Sequence, residues 1–102
     1  MGKYLLTKHA IKRLKDRHIS RQMFEKAVKS GVREKEGIGA IEVELAYPPI
    51  TLLKDRETGW IITAYWRCSQ KEKWEIAHEF YREQGRINAY EKEKEKWRRQ
   101  KR

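Results

Sequence analysis

The hydrophobic period of this chain changes once, at Gly31, and that change sets the fold class. Before Gly31 the apolar residues fall at helical spacing; after it they alternate. Ala40 to Tyr47 reads AIEVELAY, with Ile41, Val43, Leu45 and Tyr47 separated by Glu42, Glu44 and Ala46. Such alternation predicts a strand with one face buried. Pro48-Pro49 ends it. Ile50 to Lys54 predicts another strand, and Asp55-Arg56-Glu57-Thr58-Gly59 carries turn chemistry. Trp60 to Trp66, WIITAYW, is rich in β-branched and aromatic residues and is the most strand-like segment of all. Val32 to Lys35 is a candidate fourth strand. Along WIITAYW and the residue after it, Trp60, Ile62, Ala64 and Trp66 share one face, and Ile61, Thr63, Tyr65 and Arg67 share the other. The first set is the more apolar and is expected to lie under helices.

Upstream of Gly31, Thr7 is placed to cap a helix starting at Lys8, with Ala10, Ile11 and Leu14 as a narrow apolar stripe. His9 and Arg13 stand four apart, and Asp16 and Arg17 continue along that side. Ser20 is a second cap, followed by Met23, Phe24, Ala27 and Val28 as a buried stripe and Gly31 as the stop. Lys71 to Gln84 returns to a helical period through Trp74, Ala77, Phe80 and Tyr81, stopping at Gly85. Residues 87–102 are almost all Glu, Lys and Arg, either a solvated helix or a frayed tail, with Ile87, Tyr90 and Trp97 as its only anchors. The expected class is α+β: an N-terminal helical pair packed on a small antiparallel sheet of three or four strands, then one or two C-terminal helices. Residues 1–86 are expected to form a single domain, and 87–102 a basic extension.

A chain of 102 residues suits one such domain, and 38% hydrophobic residues allow only a small core. No apolar run approaches the roughly 20 residues of a membrane span, and no charged-then-apolar leader precedes a small-residue cleavage site. A single cysteine, Cys68, excludes an internal disulfide and a multi-cysteine zinc site, and points to a reducing, cytoplasmic place of action. The net charge of +10 is uneven: residues 1–31 carry +7, 32–66 carry −2, and 67–102 carry +5. Two basic ends favour a polyanionic partner. The blander account is a surface rich in Lys/Glu pairs.

Nucleotide-cofactor loops are absent, with neither GxxxxGK[ST] nor GxGxxG present. Histidines 9, 18 and 78 lack ligand spacing, so no metal and no cofactor are expected. Glu42 and Glu44 fit the exposed side of an edge strand better than a carboxylate pair. His18 fits a surface residue at a helix C-terminus, where its charge is favoured; His78 fits a structural role, and Trp60, Trp66 and Trp74 fit the core. What remains is histidine, arginine and hydroxyl, a set sufficient to cleave RNA without a metal. One group takes the proton of the ribose 2′-OH, one protonates the leaving 5′-oxygen, and cations stabilise the phosphorane. His9 is the candidate for proton transfer because it shares a helix side with Arg13 and Arg17.

The run Thr7-x-His9-Ala10-x-x-Arg13-Leu14-x-x-Arg17-x-Ile19-Ser20, with Ile61-Ile62-Thr63-Ala64-Tyr65 further on, resembles a family of small domains similar to the barnase–EndoU–colicin–RelE group of ribonuclease toxins. The likeness covers about residues 5–67 and leaves the basic C-terminal segment without a counterpart. It implies helices against a small antiparallel sheet and metal-independent RNA cleavage. By position it implies His9 as the proton-transfer residue, Arg13 and Arg17 on phosphate, and Thr63 with Tyr65 completing the site. Lys12, Lys54 and Arg67 become auxiliary RNA-binding cations. It also implies an acidic antitoxin or immunity protein as partner, and action in the cytoplasm, including delivery as the tip of a larger secreted toxin. The alternative is a nucleic-acid-binding module of phage or toxin–antitoxin origin without catalysis; a third is a partner-binding protein whose basic ends meet an acidic protein.

Overall fold

The computed structural model describes residues 4–100. They form α1 (Lys8–Asp16), α2 (Arg21–Ser30), β1 (Val32–Glu36), β2 (Ala40–Leu45), β3 (Ile50–Asp55), β4 (Ile61–Trp66), α3 (Gln70–Glu83) and α4 (Ile87–Gln100). The class is α+β, as the change of period predicts, and the fourth strand is present. The chain divides into two compact units at Arg67/Cys68. A boundary at residues 86/87 instead separates the two helices of the second unit, because aromatic side chains of α4 pack onto α3. Lys101 and Arg102, at the end of the expected extension, lie outside the described residues.

In the first unit both helices start where the sequence offers a cap. Thr7 Oγ1 accepts from the Ala10 amide at 3.1 Å, and Ser20 Oγ from the Met23 amide at 3.2 Å. The sheet order is β1-β2-β3-β4, antiparallel throughout. Val43, Leu45, Ile50, Leu52, Ile61 and Ala64 are fully buried on it, and Ala10, Met23, Phe24 and Ala27 are buried on the helices. α1 packs along β4, and α2 meets β2. Each large side chain taken wholly from water here contributes about 1.5–3 kcal/mol.

Two expectations for the core are corrected. Ile11 is 52% exposed; α1 packs chiefly on β4, and Ala10 and Leu14 are its buried residues. In β4 a bulge shifts the register: Lys54 pairs with Ile61 and Leu53 with Thr63, so Ile62 is the extra residue. The inserted residue puts Ile61 into the core, while Trp60 is 40% exposed. Beyond the bulge the expected alternation holds, with Ala64 buried and the Trp66 Nε1 donating to the Arg17 carbonyl at 2.7 Å.

The two edges of the sheet differ. Outside β4, Leu6 makes a parallel bridge with Ile61; the Thr7 amide donates to the Ile61 carbonyl at 3.1 Å, and the Ile61 amide to the Leu5 carbonyl at 2.8 Å. At the other edge every residue of β1 is exposed, four of them charged in the order Arg33, Glu34, Lys35, Glu36.

The second unit is a helical pair. Ser69 caps α3, its Oγ accepting from the Glu72 amide at 3.2 Å. Tyr90 and Trp97 of α4 meet Trp74 of α3 with ring centroids 6.0 and 5.5 Å apart. Residues 87–100 are therefore a helix anchored by Tyr90 and Trp97, two of the three residues able to do so. Burial pushes the Lys73 amine down from its ordinary range, and that amine lies 4.9 Å from the centre of the Trp74 ring. Among the described residues, no helix is long and apolar enough to cross a membrane.

Candidate nucleic-acid interface

The helix spacing that sets His9 four residues before Arg13 brings their side chains together on the solvent side of α1. The Arg13 Nε donates to the His9 Nε2 at 3.3 Å. Arg13 also lies 3.5 Å from Asp16, an exposed pair of little energetic weight. Lys8, Lys12 and Lys15 are exposed on the same helix, whose first turn has no acidic residue. Basic groups at a helix N-terminus oppose the macrodipole. This local cost to the fold concentrates positive charge around His9.

Arg17, the residue that closes α1, is turned inward. Its Nη1 donates to the Ala64 carbonyl and lies 3.5 Å from Thr63 Oγ1. Arg17 and Thr63 thus come together, and the guanidinium ties α1 to the edge of β4. Tyr65 follows Thr63 by two residues and lies on the sheet face turned away from Ala64 and Trp66. The structure groups His9 with Arg13, and Arg17 with Thr63, and Tyr65 shares the strand face of Thr63.

The auxiliary cations divide in the same way. Lys12 stays on the open face of α1. Lys54 Nζ is bound to Glu34 Oε2 at 2.9 Å across the sheet. Tyr4 stands near both, and its phenol is pushed up chiefly by burial and then by Glu34. Arg67 donates to the Leu45 carbonyl at 2.6 Å, the Ile50 carbonyl at 3.0 Å and Thr51 Oγ1 at 3.4 Å. Its donors stitch the ends of β2 and β3 together.

His18 has φ 60° and forms the left-handed link between α1 and α2. His78 is exposed and meets the Tyr90 ring edge-on, 5.1 Å between centroids. Among the described residues no cluster of three or more His, Cys, Asp or Glu side chains is placed to hold a metal ion.

The chain matches no family model, no curated protein and no solved structure. Sequence reasoning missed the cleft between α3 and α4, lined by Trp74, Tyr90, Trp97, Lys94 and Arg98. The signal for it was available: Tyr90, Lys94, Trp97 and Arg98 fall three or four residues apart, on one helical face.

Proposed function

We propose that the protein is a metal-independent endoribonuclease of toxin type acting on cellular RNA, with α1 as its phosphate-facing element. The observation that carries this reading is the Arg13–His9 hydrogen bond on an exposed, lysine-rich helix face. In the free protein Arg13 occupies the His9 lone pair. A bound phosphodiester competes for the guanidinium, since charge-assisted bonds to phosphate are the stronger kind. Nε2 is then open to take the proton of the 2′-OH as the 2′-oxygen attacks phosphorus, and Arg13 stays with the charged phosphorane. The leaving 5′-oxygen receives its proton from the imidazolium or from water. Lys8 and Lys12 hold flanking phosphates. Arg17 and Thr63 act as positioning residues that fix α1 on β4. A partner of this toxin type is an acidic antitoxin or immunity protein that covers the same helix face.

The test is incubation of the purified protein with total RNA in EDTA, alongside His9→Ala. Discrete cleavage that falls by about 10²–10⁴ in the variant is expected, the usual weight of one proton-transfer group. The helical circular dichroism should be unchanged, because His9 is exposed. Equal cleavage by both proteins would remove His9 from the chemistry.

A second reading is a nucleic-acid-binding module without catalysis. It is favoured by the commitment of Lys54 to Glu34 and of Arg67 to the ends of β2 and β3. It expects salt-sensitive RNA binding and no product from either protein.

A further inference from the structure

We infer that the cleft between α3 and α4 is a second RNA site, one that takes an unpaired nucleotide by its base and its phosphate. This rests on the reading that RNA is the ligand, but not on cleavage. The cleft encloses about 550 Å³, room for one nucleotide unit, and is open to solvent. Its floor is aromatic: Trp74 and Tyr90 are nearly fully buried, and Trp97, tilted 54° to Trp74, is the half-exposed ring. Its rim is cationic. Lys71, Lys94 and Arg98 line it against one carboxylate, Glu75. Lys94 Nζ stands 5.7 Å from the centre of the Tyr90 ring, and Arg98 lies 3.8 Å from Glu95 with most of its side chain in solvent. An aromatic floor with three cations against one carboxylate in its lining is the chemistry by which single strands are held, bases stacked and phosphates paired. An apolar peptide would leave those cations unused. A duplex could not offer its bases to the floor.

The experiment measures binding of a fluorescein-labelled single-stranded RNA 12-mer to the full chain by anisotropy. The Lys94→Glu/Arg98→Glu variant reverses two rim charges. Lys92→Glu/Lys96→Glu makes the same charge change on the opposite side of α4, and Trp97→Leu removes the stacking ring while keeping apolar volume. Circular dichroism checks that α4 remains helical. The rim variant is expected to bind about tenfold or more weakly, and its salt slope to fall by about 1.4, from two phosphates at about 0.7 each. The control should change less than about threefold, Trp97→Leu should weaken binding about five- to tenfold, and a 12-base-pair RNA duplex should compete poorly. If the rim and control variants weaken binding alike, or the duplex competes as well as the single strand, the cleft is not the site. Loss of binding only in His9→Ala or Arg13→Ala would overturn the cleft and spare the α1 face. Rim-dependent binding without cleavage would keep the cleft and sink the nuclease. No binding by the unaltered protein would end both.

Discussion

His18 shows how one residue sets the course of a chain. The His18 amide donates to the Lys15 carbonyl at 3.2 Å, and the Ile19 amide to the Leu14 carbonyl at 2.8 Å. These two bonds end α1 and put Ile19 against Leu14, with Ser20 next in line to cap α2. A positive φ is tolerated by histidine far better than by a β-branched residue. His18→Val is therefore expected to cost about 1–2 kcal/mol, read as a lower midpoint in urea denaturation; an unchanged midpoint would show that the turn relaxes freely. The sequence places His18 at a helix end, but on grounds of charge. The left-handed turn was not legible, since glycine is its usual marker. Asp55 was legible as a turn residue, and its carboxyl accepts from the Glu57 and Thr58 amides at 2.9 Å each. The Thr58 amide and then the Glu57 amide hold that carboxyl below its ordinary 3.8. A depressed folded value means the turn gains support above pH 3.8 and loses it as pH falls through the lower folded value. The Asp55 carboxyl resonance should titrate below 3.8, with the Glu57 and Thr58 amide shifts following; a midpoint at or above 3.8 would contradict this.

Elements were legible where a period runs unbroken. Ile41, Val43 and Leu45 announced β2, and Met23, Phe24 and Ala27 announced α2, because a buried face repeats every two residues in a strand and every three or four in a helix. The bulge in β4 was not legible. No glycine marks it, and the choice between Trp60 and Ile61 for the core depends on pairing with β3. Arg67 shows the same limit. As a basic residue after a strand it fits an RNA contact; only the neighbouring strand ends show three acceptors within its reach. Arg67→Lys keeps the charge but not the fork of donors. It should lower stability by about 1–2 kcal/mol, as for hydrogen bonds from a charged group. RNA affinity measured well below the melting temperature should change less than about twofold. A stable variant with weakened RNA binding would return Arg67 to the interface.

Across the whole molecule, charge was legible and its deployment was not. The first unit carries 14 basic and 8 acidic residues, the second 11 and 7, so both are cationic. Lys8, Lys12, Arg13, Lys94 and Arg98 are the proposed phosphate contacts. Five contacts on single-stranded RNA should give a slope of about −3.5 in log affinity against log salt. Titration between 50 and 300 mM salt with a long unstructured RNA measures it, and a slope shallower than about −1.5 would mean that most of these cations stay in solvent. The two edges of the sheet carry a further consequence. Beyond β4 the hydrogen-bonding row is already occupied at Ile61 by the Leu5–Thr7 segment and at Ala64 by Arg17. Beyond β1, an added strand would crowd four consecutive charged side chains. A sheet occupied on one side and guarded by charge on the other resists lateral growth, so its edges keep crowded copies of the chain from templating fibres.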